Sequence, residues 1–306
     1  MEISKSSKKK STAERIAQIV FTVCASFTIL AVLAIMIYMI ANGTPALFEV
    51  GIQELLFGTV WKPTAAEPEY GIFYVILTSV VGTFMAILFG VPIGILTAVF
   101  LAEAAPQKLS VIVKPAIELL AGIPSVIYGL LGIMVLNPIM YKMELAIFKD
   151  SQTHQFTGGA NLISAVIVLA VMILPTVINM SETAIRAVHP SMKASSLALG
   201  ATHMQTIFHV ILPAAKSGIL SAVMLGVGRA IGEAMAITLV SGSSVNLPLP
   251  FNSVRFLTTA LVSEMGYASD LHREVLFTIG LVLFVFIMMI NVVLERLIKN
   301  GGTKNA

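Results

Sequence analysis

The sequence predicts an all-α integral membrane protein with six transmembrane helices, and three observations carry that reading. Its 306 residues are 57% hydrophobic and only 11% charged, and a mean hydropathy of +0.92 lies far above the range of water-soluble domains. Six apolar stretches, over residues 17–41, 71–101, 116–139, 161–181, 217–243 and 275–294, are each long enough to cross a bilayer, which takes about 20 helical residues. Lys and Arg divide unevenly between the two sets of ends and loops that six spans create, thirteen on one side and five on the other. Because basic residues accumulate on the inner side, both termini are predicted to be cytoplasmic.

The first span follows a basic start of Lys5, Lys8, Lys9, Lys10 and Arg15. Its charge-free run from Ile16 to Phe48 far exceeds the apolar core of a secretory signal, so it is predicted to stay as an anchor. The outer stretch 42–70 holds Trp61, Pro63, Pro68 and the acids Glu49, Glu54, Glu67 and Glu69, with no sign of a separate domain. The second span carries Gly90, Pro92 and Gly94, which predict a bend because proline removes a backbone donor and crowds the preceding turn. In the third, Lys114 and Glu118 precede Gly122, Pro124, Gly129 and Gly132, small residues suited to close helix approach. The fourth ends on Glu182 and Arg186, four apart in the favourable order, as a plain surface pair would be.

After the fourth span comes "RAVHPSMKASSLALGATHMQTIFHVILPAA", too polar to span and too apolar for an ordinary linker. Leu197, Ala201, Met204 and Phe208 recur at helical spacing. Gly200 interrupts that stripe and Pro213 closes it, so two short helices around Gly200 are expected. An apolar stripe exposed on the inner side requires a partner, either a membrane surface or a protein groove.

The fifth span contains "GVGRAIGEAMAITLV", with Arg229 and Glu233 four residues apart near its middle. An arginine at the centre of a membrane helix costs about 2.5–3.5 kcal/mol on insertion scales, so Arg229 is expected to face protein or a watery path. Mutual neutralisation on one helix face is one reading, although Arg before Glu is the weaker order. In the other, Arg229 offers a guanidinium fork to a passing oxyanion and Glu233 keeps the site from holding it too tightly.

Several function classes are excluded or unsupported. No G-x-x-x-x-G-K-[ST] loop is present, so the chain is not expected to hydrolyse ATP, and Gly226, Gly228 and Gly232 have the wrong spacing for a dinucleotide fingerprint. His154, His189, His203, His209 and His272 are scattered without metal-ligand spacing, so neither a catalytic residue, a metal nor a cofactor is assigned. Cys24 is the sole cysteine and cannot form an intrachain disulfide. The net charge of +3 suits an anionic inner leaflet of membrane lipid and is not a nucleic-acid footprint.

Residues 194–213 resemble the EAA loop of ABC-importer permeases, whose pattern is Glu-Ala-Ala, three residues, Gly, nine residues, Ile-x-Leu-Pro. Here Ala194-Ser195-Ser196, Gly200 and Val210-Ile211-Leu212-Pro213 stand in those places, with Ala194 replacing the family's Glu and Val210 its Ile. "LLFGTVWKP" (55–63), "IELLAGIPSVIYGLLG" (117–132) and "GRAIGEAMAITLV" (228–240) are similar to the phosphate-importer permease family of the PstC type, the tryptophan stretch favouring it over the paired PstA type. The resemblance runs from about residue 14 to 297.

That resemblance implies a MetI-like permease fold with cytoplasmic coupling helices in the bacterial plasma membrane. It divides the chain into 1–70 (inner N-terminus, first span and periplasmic loop), 71–297 (permease domain with coupling loop 190–213) and 298–306 (cytoplasmic tail). It further implies that Ala194, Leu197, Gly200, Ala201, Met204, Phe208 and Pro213 engage an ATPase, and that Arg229 and Glu233 lie on the translocation path. The implied partners are a second, PstA-type permease as heterodimer, two cytoplasmic ATPase subunits, an extracytoplasmic phosphate-binding protein and the phosphate ion. Two rivals remain open at this point: the same machine carrying molybdate, sulfate or phosphonate, and a stand-alone ion-coupled carrier, which has no evident use for the inner apolar loop. A subunit that only reports phosphate through its partners is a third.

Overall fold

A computed structural model describes residues 12–302. Lys5, Lys8, Lys9, Lys10 and Lys304, which enter the basic-residue count, lie outside those residues. The first helix, α1 (Thr12–Ala46), continues through a π turn at Leu47–Gly51 into α2 (Ile52–Phe57). A two-stranded antiparallel hairpin follows, β1 (Trp61–Lys62) against β2 (Glu69–Tyr70), with Trp61 opposite Tyr70. Helix α3 (Phe73–Val99) ends in a π turn at Phe100–Ala104, and α4 (Gln107–Gly122), α5 (Ser125–Leu131) and α6 (Asn137–Ile147) come next. The remainder is α7 (Leu162–Arg186), α8 (Pro190–Ala198), α9 (His203–Thr206), α10 (Leu212–Gly232), α11 (Met235–Val240), α12 (Leu257–Glu264) and α13 (Asp270–Gly302).

Six helical segments of the described residues are long and apolar enough to cross a membrane: Glu14–Phe57, Phe73–Ala104, Ser125–Ile147, Leu162–Arg186, His203–Gly232 and Asp270–Arg296. Their number agrees with the sequence, and two of them are displaced: the fifth, expected at 217–243, runs over His203–Gly232, and the third moves as well. The expected third span at 116–139 is cut at Ile123 and Pro124, because Pro124 has no N–H to continue the ladder and both residues take extended backbone angles. The chain therefore crosses at Ser125–Ile147, and α4 is a separate helix ahead of it.

The most buried crossing is α7, 61% enclosed over its apolar window, whereas the same window of the first segment is 0% enclosed. Around α7 pack α3 and α10, with Leu169, Met172 and Ile173 at the centre. The glycines of α3 serve this packing: a β-carbon at Gly90 would meet Ile173 at 2.7 Å and one at Gly94 would meet Val177 at 2.8 Å. α3 is continuous through Pro92 and passes into a wide turn at Phe100–Ala104. The first helix packs on α13, where Thr278 donates to the carbonyl of Gly43 at 2.6 Å, and shows the rest of its apolar surface outward as a lipid-facing helix must.

The loops gather at two ends. One, here the α8 end, carries the turn at 100–106 and residues 187–202; the other, the hairpin end, carries β1, β2 and residues 148–161, 241–256 and 265–269.

Candidate functional site

Residues 226–240 do not form the single helix that the sequence suggested. Helix α10 stops at Gly232, Glu233 is extended (φ −73°, ψ 131°), Ala234 is irregular, and α11 starts at Met235. Arg229 and Glu233 are consequently not a same-face helical pair, and no carboxylate of the described residues lies within 4.0 Å of the Arg229 guanidinium. Glu233 turns to the next helix instead: its Oε1 accepts from the backbone N–H of Ala236 at 3.0 Å and caps α11, while its carbonyl accepts from the Thr258 hydroxyl at 2.7 Å. The interruption places Arg229 in the last turn of α10, where unpaired backbone carbonyls and the negative end of the helix dipole offset part of the cost of its charge.

Arg229 is half-buried. The neighbouring face of α10 is bare of protein. Ser217, Ser221, Leu225, Gly228 and Gly232 are exposed along it, and a β-carbon at Gly228 or Gly232 would meet nothing within 4 Å. Gly226, by contrast, packs against Val177, which a β-carbon there would meet at 2.8 Å. Broken backbone at membrane depth is tolerated only where protein buries it or water reaches it. A cation with no carboxylate of the described residues within 4.0 Å, a helix break and an uncovered face thus lie together at this end of α10.

At the α8 end the chain does break at Gly200, but only the first of the two expected short helices is short. The first helix, α8, begins with Pro190 in its first turn and ends ahead of Gly200, whose φ of +86° is a left-handed conformation that favours glycine. Thr202 and Gln205 form a reciprocal capping box that starts α9, and the hydroxyls of Ser196 and Thr206 meet at 2.9 Å across the corner. Pro213 does not close the region: the chain is helical from His203 through a π turn at Ile207–Ile211 to Gly232. Proline is accommodated because it falls in the opening turn of α10, just beyond that widened turn.

Ala194, Leu197, Met204 and Phe208 are exposed, and Ala201 lines an open, mainly apolar groove of about 440 Å3 with Met192, Leu199 and Val210. The structure thus brings Ala201 together with three residues that the helical spacing did not select and leaves Leu197, Met204 and Phe208 outside the groove. Leu199, 89% exposed, is the most uncovered of the large apolar side chains described. Its sequence signal was a leucine directly before a helix-ending glycine, off the period of the stripe.

Glu182 was expected to form a plain surface pair with Arg186, yet its carboxylate is buried, 2.7 Å from Arg186 Nε and 3.4 Å from Lys114 Nζ. A second missed cluster lies at the hairpin end. Buried Glu264 pairs with Arg255, lies 2.8 Å from His272 Nε2 and accepts from Trp61 Nε1 at 3.2 Å. Burial raises the pKa of the adjacent Tyr267 hydroxyl, and the Glu264 carboxylate adds to that shift against the pull of Arg255. No sequence motif joins positions 61, 255, 264 and 272, so only the fold reveals this cluster.

The profile of the family of binding-protein-dependent transport system inner membrane components matches residues 90–300. A Bacillus subtilis (strain 168) protein, the probable ABC transporter permease protein YqgH, is 38% identical over 288 residues, covering 91% of this chain and 90% of the relative. The phosphate transport system permease protein PstC of Xylella fastidiosa (strain Temecula1) is 30% identical over 302 residues, covering 95% and 92%. Among solved structures, a chain of a bacterial alginate ABC transporter in complex with an alginate pentasaccharide-bound periplasmic protein aligns with a TM-score of 0.61, covering 93% of both chains at 15% identity. At that identity the likeness concerns the fold.

Proposed function

This chain belongs to the family of binding-protein-dependent transport system inner membrane components, and from that premise we propose that it moves inorganic phosphate as one permease subunit of an ATP-driven importer. It is a multi-pass membrane component of a transport system and not an enzyme. The observation that carries the anion reading is Arg229, a half-buried membrane cation with no carboxylate of the described residues within 4.0 Å, beside an interrupted helix. Phosphate matches a guanidinium fork through charge-assisted hydrogen bonds. Relatives named as phosphate transport permeases support that cargo.

In this reading both termini face the cytoplasm and the α8 end meets the ATPases, with Met192, Leu199 and Ala201 of the open groove receiving or entering the partner surface. The exposed face of α10 meets a second permease across the path. A binding protein delivers phosphate at the hairpin end, where a polar cavity of about 490 Å3 lined by Thr153, Gln155, Asn246, Asn252 and Ser253 opens. ATP-driven closure of the ATPases displaces α8 and alters access to Arg229, and hydrolysis resets it, so that ligand and nucleotide bias one two-state element. Glu233 holds the start of α11 and tempers the local field.

The test is uptake of labelled phosphate by the assembled complex. Arg229→Ala is expected to lower uptake by at least about tenfold, the loss of one charge-assisted hydrogen bond being roughly 1.5–3 kcal/mol, with assembly intact. Arg229→Lys, which keeps the charge without the fork, is expected to fall between. Unchanged uptake by Arg229→Ala removes that residue from the path, and competition by molybdate or sulfate as strong as that by phosphate sinks the cargo assignment.

A further inference from the structure

The buried carboxylate of Glu182 stands at the junction of three elements. It is 1% exposed and holds Arg186 of its own helix α7 and Lys114 of α4. Arg186 reaches further, its Nη2 donating at 2.8 Å to the carbonyl of Leu101 in the π turn after α3. Two residues on in that turn, Glu103 pairs with Lys193 of α8. Ion pairs and one backbone hydrogen bond therefore tie the α8 loop to α4 without a gap.

The other end of α4 reaches the candidate path. The carbonyl of Leu120, in its last turn, accepts the Tyr128 hydroxyl at 2.7 Å across the interruption between α4 and α5. Tyr128 is buried. The following residue, Gly129, lies so close to α11 that a β-carbon would come within 2.9 Å of the Ala236 backbone. Lys114 and Leu120 are six positions apart on one helix, roughly 9 Å at 1.5 Å per residue, with Pro115 between them.

A buried ion pair adds little stability over packed apolar groups of the same volume, and its best-attested use is fixing a register. We propose that Glu182 is a positioning residue that couples displacement of the α8 loop, through α4 and the Tyr128–Leu120 hydrogen bond, to the helix break beside Arg229. The proposal rests on the transport reading above. It makes the three interrupted places, the π turn after α3, the α4–α5 gap and the α10–α11 gap, parts of one mechanism.

The experiment uses the full chain, reconstituted in vesicles with its second permease, ATPases and binding protein, and measures ATP hydrolysis and phosphate uptake together. Glu182→Gln is expected to leave hydrolysis near the wild-type rate and to lower uptake per ATP by about twofold to thirtyfold, the range of residues that modulate coupling. Tyr128→Phe is expected to act in the same direction, and the double variant to lose little more than Glu182→Gln alone, since both lie on one route. An unchanged ratio of uptake to hydrolysis in Tyr128→Phe overturns the proposal, even where Glu182→Gln fails to assemble, and so does a multiplicative loss in the double variant. If wild-type vesicles hydrolyse ATP without taking up phosphate, the cargo reading fails instead. Coupling is then read from the distance between spin labels at Leu119→Cys and Val293→Cys in a Cys24→Ser background. ATP shifts that distance in the otherwise unaltered complex, and the same shift in Glu182→Gln overturns the proposal.

Discussion

Two charged clusters divide the labour of this molecule in opposite ways. At the hairpin end, Glu264 is 3% exposed and is met by Arg255, His272 and Trp61, so that the hairpin, the 241–256 loop, α12 and α13 are bound to one carboxylate. At the α10–α11 break, Arg229 has no carboxylate of the described residues within 4.0 Å and Glu233 is occupied with a backbone N–H. Charges that satisfy one another hold a fold in place, whereas an intramembrane charge kept free of its neighbour is available to a passing ion. The sequence leaves both readings of Arg229 and Glu233 open and gives no sign that Arg255 and Glu264 meet.

The comparison is most exposed at Arg255. Arg255→Leu leaves Glu264 buried without its cation, and removing one partner of a buried pair costs about 3–5 kcal/mol. Thermal unfolding of the purified chain in detergent is expected to shift down accordingly, with phosphate uptake falling only as far as the folded fraction falls. Arg229→Ala is expected to give the opposite pattern, full stability with lost uptake. Equal stability losses at the two arginines would erase the distinction between a holding charge and a waiting one.

How far each region is legible in the sequence follows from the range of the forces that build it. Span number, the left-handed Gly200 corner and the pair of helices around it depend on composition and local backbone chemistry, and the sequence displays them. The break at Glu233 is local too, yet its signal is faint: Gly232 and the following acid are also compatible with a continuous membrane helix, and an extended residue wins where Thr258 and Ala236 supply the hydrogen bonds. The displacement of the third span is written in Pro124 but hidden by the apolar residues on both sides of it. Glu182 and Glu264 are beyond sequence reasoning, because their partners Lys114 and Trp61 come from elements 68 and 203 positions away.

A smaller effect tests whether Glu233 belongs to the structural or the electrostatic side of the comparison. As a cap of α11, its side chain needs only an acceptor oxygen, which an amide also supplies. Glu233→Ala is therefore expected to cost about 0.5–2 kcal/mol, the usual range for losing a helix cap, and Glu233→Gln distinctly less in the same unfolding measurement. If the carboxylate also tempers the field at Arg229, Glu233→Gln changes the concentration dependence of phosphate uptake while stability stays near wild type. Uptake kinetics identical to wild type in Glu233→Gln assign the residue to capping alone.

The smallest expected effect comes from an ion pair at the same end of the molecule as Glu264. Lys62 and Glu69 face one another across the hairpin at 3.9 Å, with side chains 63% and 49% exposed, so water already solvates both charges. Pairs of this kind contribute about 0–1 kcal/mol, and Lys62→Ala is expected to leave the unfolding transition within that range at low salt and closer still to wild type at high salt, where screening weakens exposed pairs. Because Trp61, the adjacent residue, reaches the buried Glu264, the substitution also tests where the strength of the hairpin lies. A loss approaching that of Arg255→Leu would mean that the β1–β2 hairpin is held by its own exposed charges and not by the Trp61–Glu264 contact beneath it, and burial would no longer separate the charges that hold this fold from those that do not.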